Sequence, residues 1–224
     1  MSIPELSYSL ANYFGKELQL DEDKTDILRY GFEVIIGESI KIIAIFIIAF
    51  LFGLMPYALV SFLTVGTYRL FSGGYHSKTY GRCFINSMVL FLGMGKLTQL
   101  LLPYFKPQMP LLLGFVVIIF VWSLWIAFKW APAETPNKPL SQAEKVKQKK
   151  LSFIWVLFWF AVTCYFSFGY PLEKTGFIIL GTLIAHIFQI FSLTPLGFKV
   201  MSLLDTLTEI IIIKMNNKRR ENHV

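Results

Sequence analysis

Residues Phe71–Phe84 read FSGGYHSKTYGRCF, a polar break between two long apolar runs. The nature of those runs decides the fold. The chain has 224 residues, of which 55% are hydrophobic and only 16% charged, and its mean hydropathy is +0.58. Soluble chains hold about 45–50% apolar and about 25% charged residues. Here Phe, Ile and Leu gather into stretches near the ~20 residues that a bilayer crossing needs. A soluble domain is excluded, and FSGGYHSKTYGRCF becomes a connection at a membrane surface.

Working outward, six spans are expected: Gly37–Met55, Pro56–Phe71, Cys83–Leu102, Pro110–Phe128, Leu151–Gly169 and Thr175–Thr194. The second is short, and a turn at Gly53 and Pro56 separates it from the first, so the two read as a tight helical hairpin. Residues Ile3–Leu20 and Leu196–Met215 mix apolar and polar positions, as helices lying on a membrane surface do. The fold expected is all-α: a polytopic membrane bundle of about six transmembrane helices, with interfacial amphipathic helices at both ends. Residues 1–224 form one integral membrane domain, with 1–33 as the N-terminal interfacial segment and 196–224 as an amphipathic, basic C-terminal one. The N-terminus has neither a basic start nor a small-residue cleavage site, so no cleaved signal peptide is expected.

Charge sets the orientation. With the N-terminus inside, seventeen Lys and Arg residues fall on inner segments and two, Lys106 and Lys174, on outer ones. By the positive-inside rule, both termini and FSGGYHSKTYGRCF face the cytoplasm. Glu38, Lys41 and Arg69 then lie near inner helix ends, where long side chains reach the interface. Glu38 and Lys41 are placed to pair. Asp205 and Glu209 fall one turn apart on one face. The basic run Lys145, Lys147, Lys149 and Lys150 reads as an inner-surface anchor that also attracts an acidic peptide. His186 reads as polar glue between helices with Gln189. No cofactor, metal site or nucleic-acid partner is expected.

The chain has two cysteines and three histidines, too few for a disulfide framework. Cys164 sits in an apolar run and behaves as a small hydrophobe. Cys83 is different: it stands at the expected start of a helix, where the dipole favours negative charge, beside Arg82. A cytosolic thiol becomes a nucleophile when a base adjoins it, and His76 is the natural base. On one continuous helix the pair would be about 10 Å apart along the axis, so the chain must fold back between them. Gly73, Gly74 and Gly81 supply the backbone freedom. From these residues alone a catalytic turn and a polar loop with an incidental cysteine both remain open, as do a non-catalytic membrane scaffold and a small transporter using Lys96 and His186.

Arg69, Gly73–Gly74, His76 and Cys83, together with the loop APAETPNKPL at Ala131–Leu140, resemble the accessory gene regulator B (AgrB) family. These are membrane cysteine endopeptidases that process a quorum-sensing propeptide. The resemblance implies Cys83 as nucleophile and His76 as base, with Arg69 and Gly74 in the essential surround. It also implies an AgrD-like propeptide substrate at the lipid bilayer, a thioester acyl-enzyme, closure of a thiolactone or lactone ring, and a homodimer. The residue that orients His76 is open among Glu38, Ser72, Asn86 and Ser87. Amides at the start of the third span are the candidates for an oxyanion hole.

Overall fold

The computed structural model describes residues 2–105, 109–134 and 140–221. Eight α-helices account for nearly all of them. By their contacts they form two compact units, residues 1–48 and 49–224.

In the first unit, α1 (Ile3–Glu17) begins at a capping box. The Ser2 amide donates to Glu5 Oε2 at 2.8 Å and the Glu5 amide to Ser2 Oγ at 3.4 Å, so two otherwise orphaned donors are paired. The chain turns through Gln19, at φ 51°, and enters α2 (Glu22–Leu51) at Asp21, whose carboxylate accepts from the Lys24 amide. Ser7, Ala11 and Gly15 are buried on α1, whereas Tyr13, Phe14 and Leu18 are exposed. A Cβ on Gly15 would lie 2.7 Å from Thr25 Oγ1, so the small face of α1 meets α2 while its large apolar face stays open. The expected first span, Gly37–Met55, is the apolar part of a helix that starts fifteen residues earlier and ends at Leu51.

The second unit holds α3 (Met55–Ser72), α4 (Tyr80–Phe105), α5 (Met109–Trp130), α6 (Gln142–Gly169), α7 (Leu172–Leu193) and α8 (Pro195–Glu221). The turn before α3 lies where expected, at Gly53 (φ 65°), with Pro56 in the first helical turn. Helix α7 is central: 67% of its apolar stretch is buried, against 17–39% for α4, α5 and α6. Its Ile179, Leu180, Leu183 and Ile190 pack with Tyr68 of α3, Val116 and Phe120 of α5, and Trp155 and Val156 of α6. Glycine permits the closest approaches. A Cβ on Gly181 would sit 3.1 Å from Val60 Cγ1, and one on Gly95 would sit 3.3 Å from the Ala58 amide nitrogen. Small residues at helix contacts are how membrane helices gain packing where no hydrophobic force drives them together.

Among the described residues, five helices, α2, α4, α5, α6 and α7, are long and apolar enough to cross a membrane. This is a multi-pass arrangement, close to the six spans expected. Helix α3 falls short because Ser61, Thr64, Arg69 and Ser72 dilute its apolar character, and three of these four are buried inside the unit. Two boundaries move. Helix α6 starts at a Ser141–Glu144 capping box rather than at Leu151, so the lysine run lies on its first turns. The C-terminal segment is one helix, α8, whose Gly197 amide caps onto Thr194 Oγ1 at 3.0 Å.

Candidate active site

Helix α3 ends at Ser72 because the next two residues adopt backbone that side chains disfavour: Gly73 at φ 70° and Gly74 at φ 139°. The space around each is also closed. A Cβ on Gly73 would lie 2.3 Å from the Ala133 carbonyl oxygen, and one on Gly74 would lie 3.0 Å from the Arg69 guanidinium. Arg69 donates through Nη2 to the Tyr75 carbonyl, folding residues 74–75 back over the last turn of α3.

Two other elements hold this turn. From α7, the Gln189 side-chain amide donates to Ser72 Oγ and to the Gly73 carbonyl, both at 3.0 Å. Ser192 in turn donates to Gln189. From the α5–α6 connection, the Ala133 amide donates to the Ser72 carbonyl at 2.8 Å, and Gly73 and Ala133 form a one-residue parallel bridge. Ser72 and Gln189 are fully buried, where an unmade hydrogen bond is costly.

Residues 73–79 are not helical, so the axial separation of a continuous helix does not apply to His76 and Cys83. His76 is exposed in that segment, and Cys83 is half-buried in the first turn of α4. Thr79 caps the helix: its carbonyl accepts from the Cys83 amide at 3.0 Å and its hydroxyl from the Arg82 amide at 3.4 Å. The dipole argument for Cys83 therefore keeps its place. The amides of Arg82 and Cys83 are thus both engaged by Thr79.

Arg82 is not the open positive charge that the sequence suggested beside Cys83. Its guanidinium forks onto α8, with Nη1 3.2 Å from Asp205 Oδ2 and Nη2 2.7 Å from Glu209 Oε1. Asp205 is 2% exposed, so the pair neutralises a buried carboxylate. Helix α8 makes two further contacts here. Thr208 Oγ1 donates to Asn86 Oδ1 at 2.7 Å, and Asn86 Nδ2 donates to Ser77 Oγ at 3.2 Å, one residue from His76. Tyr75 packs edge-on to Phe198, and burial, then the nearby Asp205 charge, push its phenol above the ordinary value.

Of the four residues considered for orienting His76, Asn86 reaches the adjoining segment. Ser72 is engaged with Gln189 and the Tyr68 carbonyl. Glu38, in the first unit, is bound to Lys41 at 2.5 Å, the pairing their spacing suggested. Ser87 is half-buried on α4. His186 departs from expectation: its Nδ1 meets the Thr182 carbonyl of its own helix at 3.1 Å, among the rings of Phe120, Trp155 and Tyr68. The side chain that ties α7 to α3 is instead Gln189. Lys96 is exposed and bonded to Gln99, so the two polar groups that a transport reading needs occupy different environments. Among the described residues, no three His, Cys, Asp or Glu side chains gather as metal ligands.

The family model of accessory gene regulator B matches residues 7–193, spanning both the Gly-Gly turn and the α5–α6 connection. The chain belongs to the AgrB family. An AgrB-like protein of Clostridium perfringens (strain SM101 / Type A) is 27% identical over 212 residues, covering 92% of this chain and 98% of that protein. The accessory gene regulator protein B of Staphylococcus intermedius is 29% identical across 75% of this chain and 81% of its own length. That of Staphylococcus aureus (strain MW2) is 29% identical across 79% and 88% respectively. No solved structure matches. The two short segments that carry the AgrB resemblance, far apart in sequence, are in direct contact through Gly73 and Ala133.

Proposed function

We propose that this AgrB-family chain is a membrane cysteine endopeptidase of a quorum-sensing system, acting on an AgrD-like propeptide with Cys83 as nucleophile and His76 as base. The observation that carries the reading is the Arg69–Gly73–Gly74 turn. Two glycines in left-handed or extended-positive backbone, one against a carbonyl and one against a guanidinium, lock a fold-back between α3 and α4. An incidental polar loop has no need of that constraint.

In this mechanism His76 takes the proton from Cys83 Sγ, and the thiolate attacks the peptide carbonyl ahead of the propeptide's acidic tail. The tetrahedral intermediate collapses as His76 returns the proton to the departing amine, leaving a thioester on Cys83 and a free tail. A thiol or hydroxyl within the bound peptide then attacks that thioester. It forms the thiolactone or lactone and returns Cys83 to the thiol. Exchange of one thioester for another is nearly balanced, so the site must exclude water, and a site at the membrane boundary does so. We further propose that this site and both termini lie on the cytoplasmic side of the cell membrane, which the charge asymmetry of the sequence supports, and that the working unit is a homodimer, which the family resemblance supports.

Intact-mass analysis of the enzyme mixed with propeptide tests the reading. A thioester adduct on Cys83 is expected, absent from Cys83→Ala and present in Cys164→Ala. Full processing by Cys83→Ala would end the reading of Cys83 as nucleophile and return the segment to an ordinary polar loop.

A further inference from the structure

We propose that Asp205 and Glu209 of α8 are positioning residues for the reaction: by gripping Arg82 they fix the first turn of α4, and with it Cys83, relative to the segment that carries His76. The inference rests on the peptidase reading for its kinetic consequence, but not for its structural one.

The geometry points to α8 for three reasons. Arg82 immediately precedes Cys83 and uses both guanidinium arms on α8, at 3.2 and 2.7 Å. A forked guanidinium fixes direction as well as distance, which a lysine ammonium cannot do. Second, Thr208 lies one residue before Glu209 and reaches Ser77 through Asn86, so the same helix also holds the far side of His76. Third, Phe198 and Ser202 flank Tyr75, on the near side of His76. His76 is thus bracketed by two residues held through α8, and Cys83 by a third. The family match ends at residue 193, before α8 begins.

The arrangement also explains why the acids lie where they do. Asp205 is 2% exposed, on the same face of α8 as Thr208 and Glu209. A buried carboxylate without a cation is strongly unfavourable, and removing one partner of a buried pair costs far more than removing an exposed pair. Arg82 and α8 therefore hold each other, and the turn between α3 and α4 is closed from the C-terminal side as Gln189 and Ala133 close it from the other.

The test uses the full chain in lipid nanodiscs and a synthetic propeptide. In Asp205→Asn/Glu209→Gln the rate of acylation should fall about tenfold to a hundredfold, with KM within about twofold, because a misplacement near 1 Å costs on the order of a hundredfold. Arg82→Gln should fall as far, and Arg82→Lys should recover part of the loss. Adding Arg82→Gln to the α8 double variant should cost nothing more, since both act through one contact. Additive losses, or a loss carried by KM alone, would overturn the proposal. Hydrogen exchange gives an activity-independent readout: amides of residues 75–83 should exchange about tenfold or more faster in the α8 double variant, with α5 and α6 unchanged. Unaltered exchange there sinks the inference even if the wild-type chain cleaves nothing, whereas a wild type that fails to acylate yet shows the exchange change refutes only the peptidase reading.

Discussion

Two polar interruptions divide the apolar sequence of the second unit, and they are built on opposite principles. The α3–α4 turn is held largely by buried and half-buried groups: Gln189 on Ser72 and Gly73, Arg69 on Tyr75, and Arg82 between the buried Asp205 and the more open Glu209. The start of α6 is held by exposed ones. Lys145 meets Glu134 at 3.0 Å with both side chains 38% exposed, Lys149 lies over the Phe128 ring, and Lys147 and Lys150 are exposed. Solvated pairs are individually weak, whereas each buried polar contact carries the cost of being unmade. Chemistry that needs fixed geometry belongs on the first kind of turn, and long-range attraction of a charged partner suits the second.

The sharpest way to break this contrast is at Gly73. Gly73→Val puts a branched side chain at positive φ and into the Ala133 carbonyl, a combination costing several kcal/mol. Cleavage should fall below detection while membrane insertion persists, as measured by propeptide processing and by membrane fractionation. Wild-type processing by that variant would show that the turn is not constrained.

Gln189→Leu is the next test. It leaves Ser72 Oγ and the Gly73 carbonyl without their α7 partner, though Ser72 keeps its bond to the Tyr68 carbonyl, at a cost of about 1–3 kcal/mol. Turnover should drop about tenfold or more and the melting temperature should fall, both read on purified protein in detergent. Gln189→Glu, which keeps acceptors but loses the donor, should behave like the leucine variant.

The α6 lysines should respond differently. Lys147→Gln/Lys150→Gln should raise KM for an acidic-tailed propeptide by severalfold at low salt and hardly at all at high salt, because exposed charges act through screened fields. Melting should not change. An effect independent of salt would mean that these side chains are contacts rather than an attracting field.

The smallest effect is expected from Lys145→Ala, with melting and turnover both close to wild type. Lys145 holds the Glu134 carboxyl below the usual carboxylate range. Whatever this pair contributes is therefore present above that range and lost as the pH falls through the depressed value. A large loss of activity in Lys145→Ala would give the α5–α6 connection the rigid role assigned here to the other turn.

Hydropathy and charge alone determined that this chain is an all-helical, multi-pass membrane protein, because apolar stretches of bilayer length and a lopsided distribution of Lys and Arg are one-dimensional signals. The sequence also marked the unusual cluster of Arg69, two glycines, His76 and Cys83, since rare residue types close together need no fold to be noticed. It misplaced the ends of α2 and α6, whose polar first turns continue the helix without any apolar mark. It could also not choose partners across the chain. Asp205 and Glu209 were visible as a one-turn pair, but their cation lies 123 and 127 residues away. Gln189 was read as a companion of His186 and turned out to serve Ser72 and Gly73. Which polar side chains meet inside a bundle depends on the rotation and depth of each helix. Packing of small and large residues along α3 and α7 sets both, so only the tertiary structure could decide them.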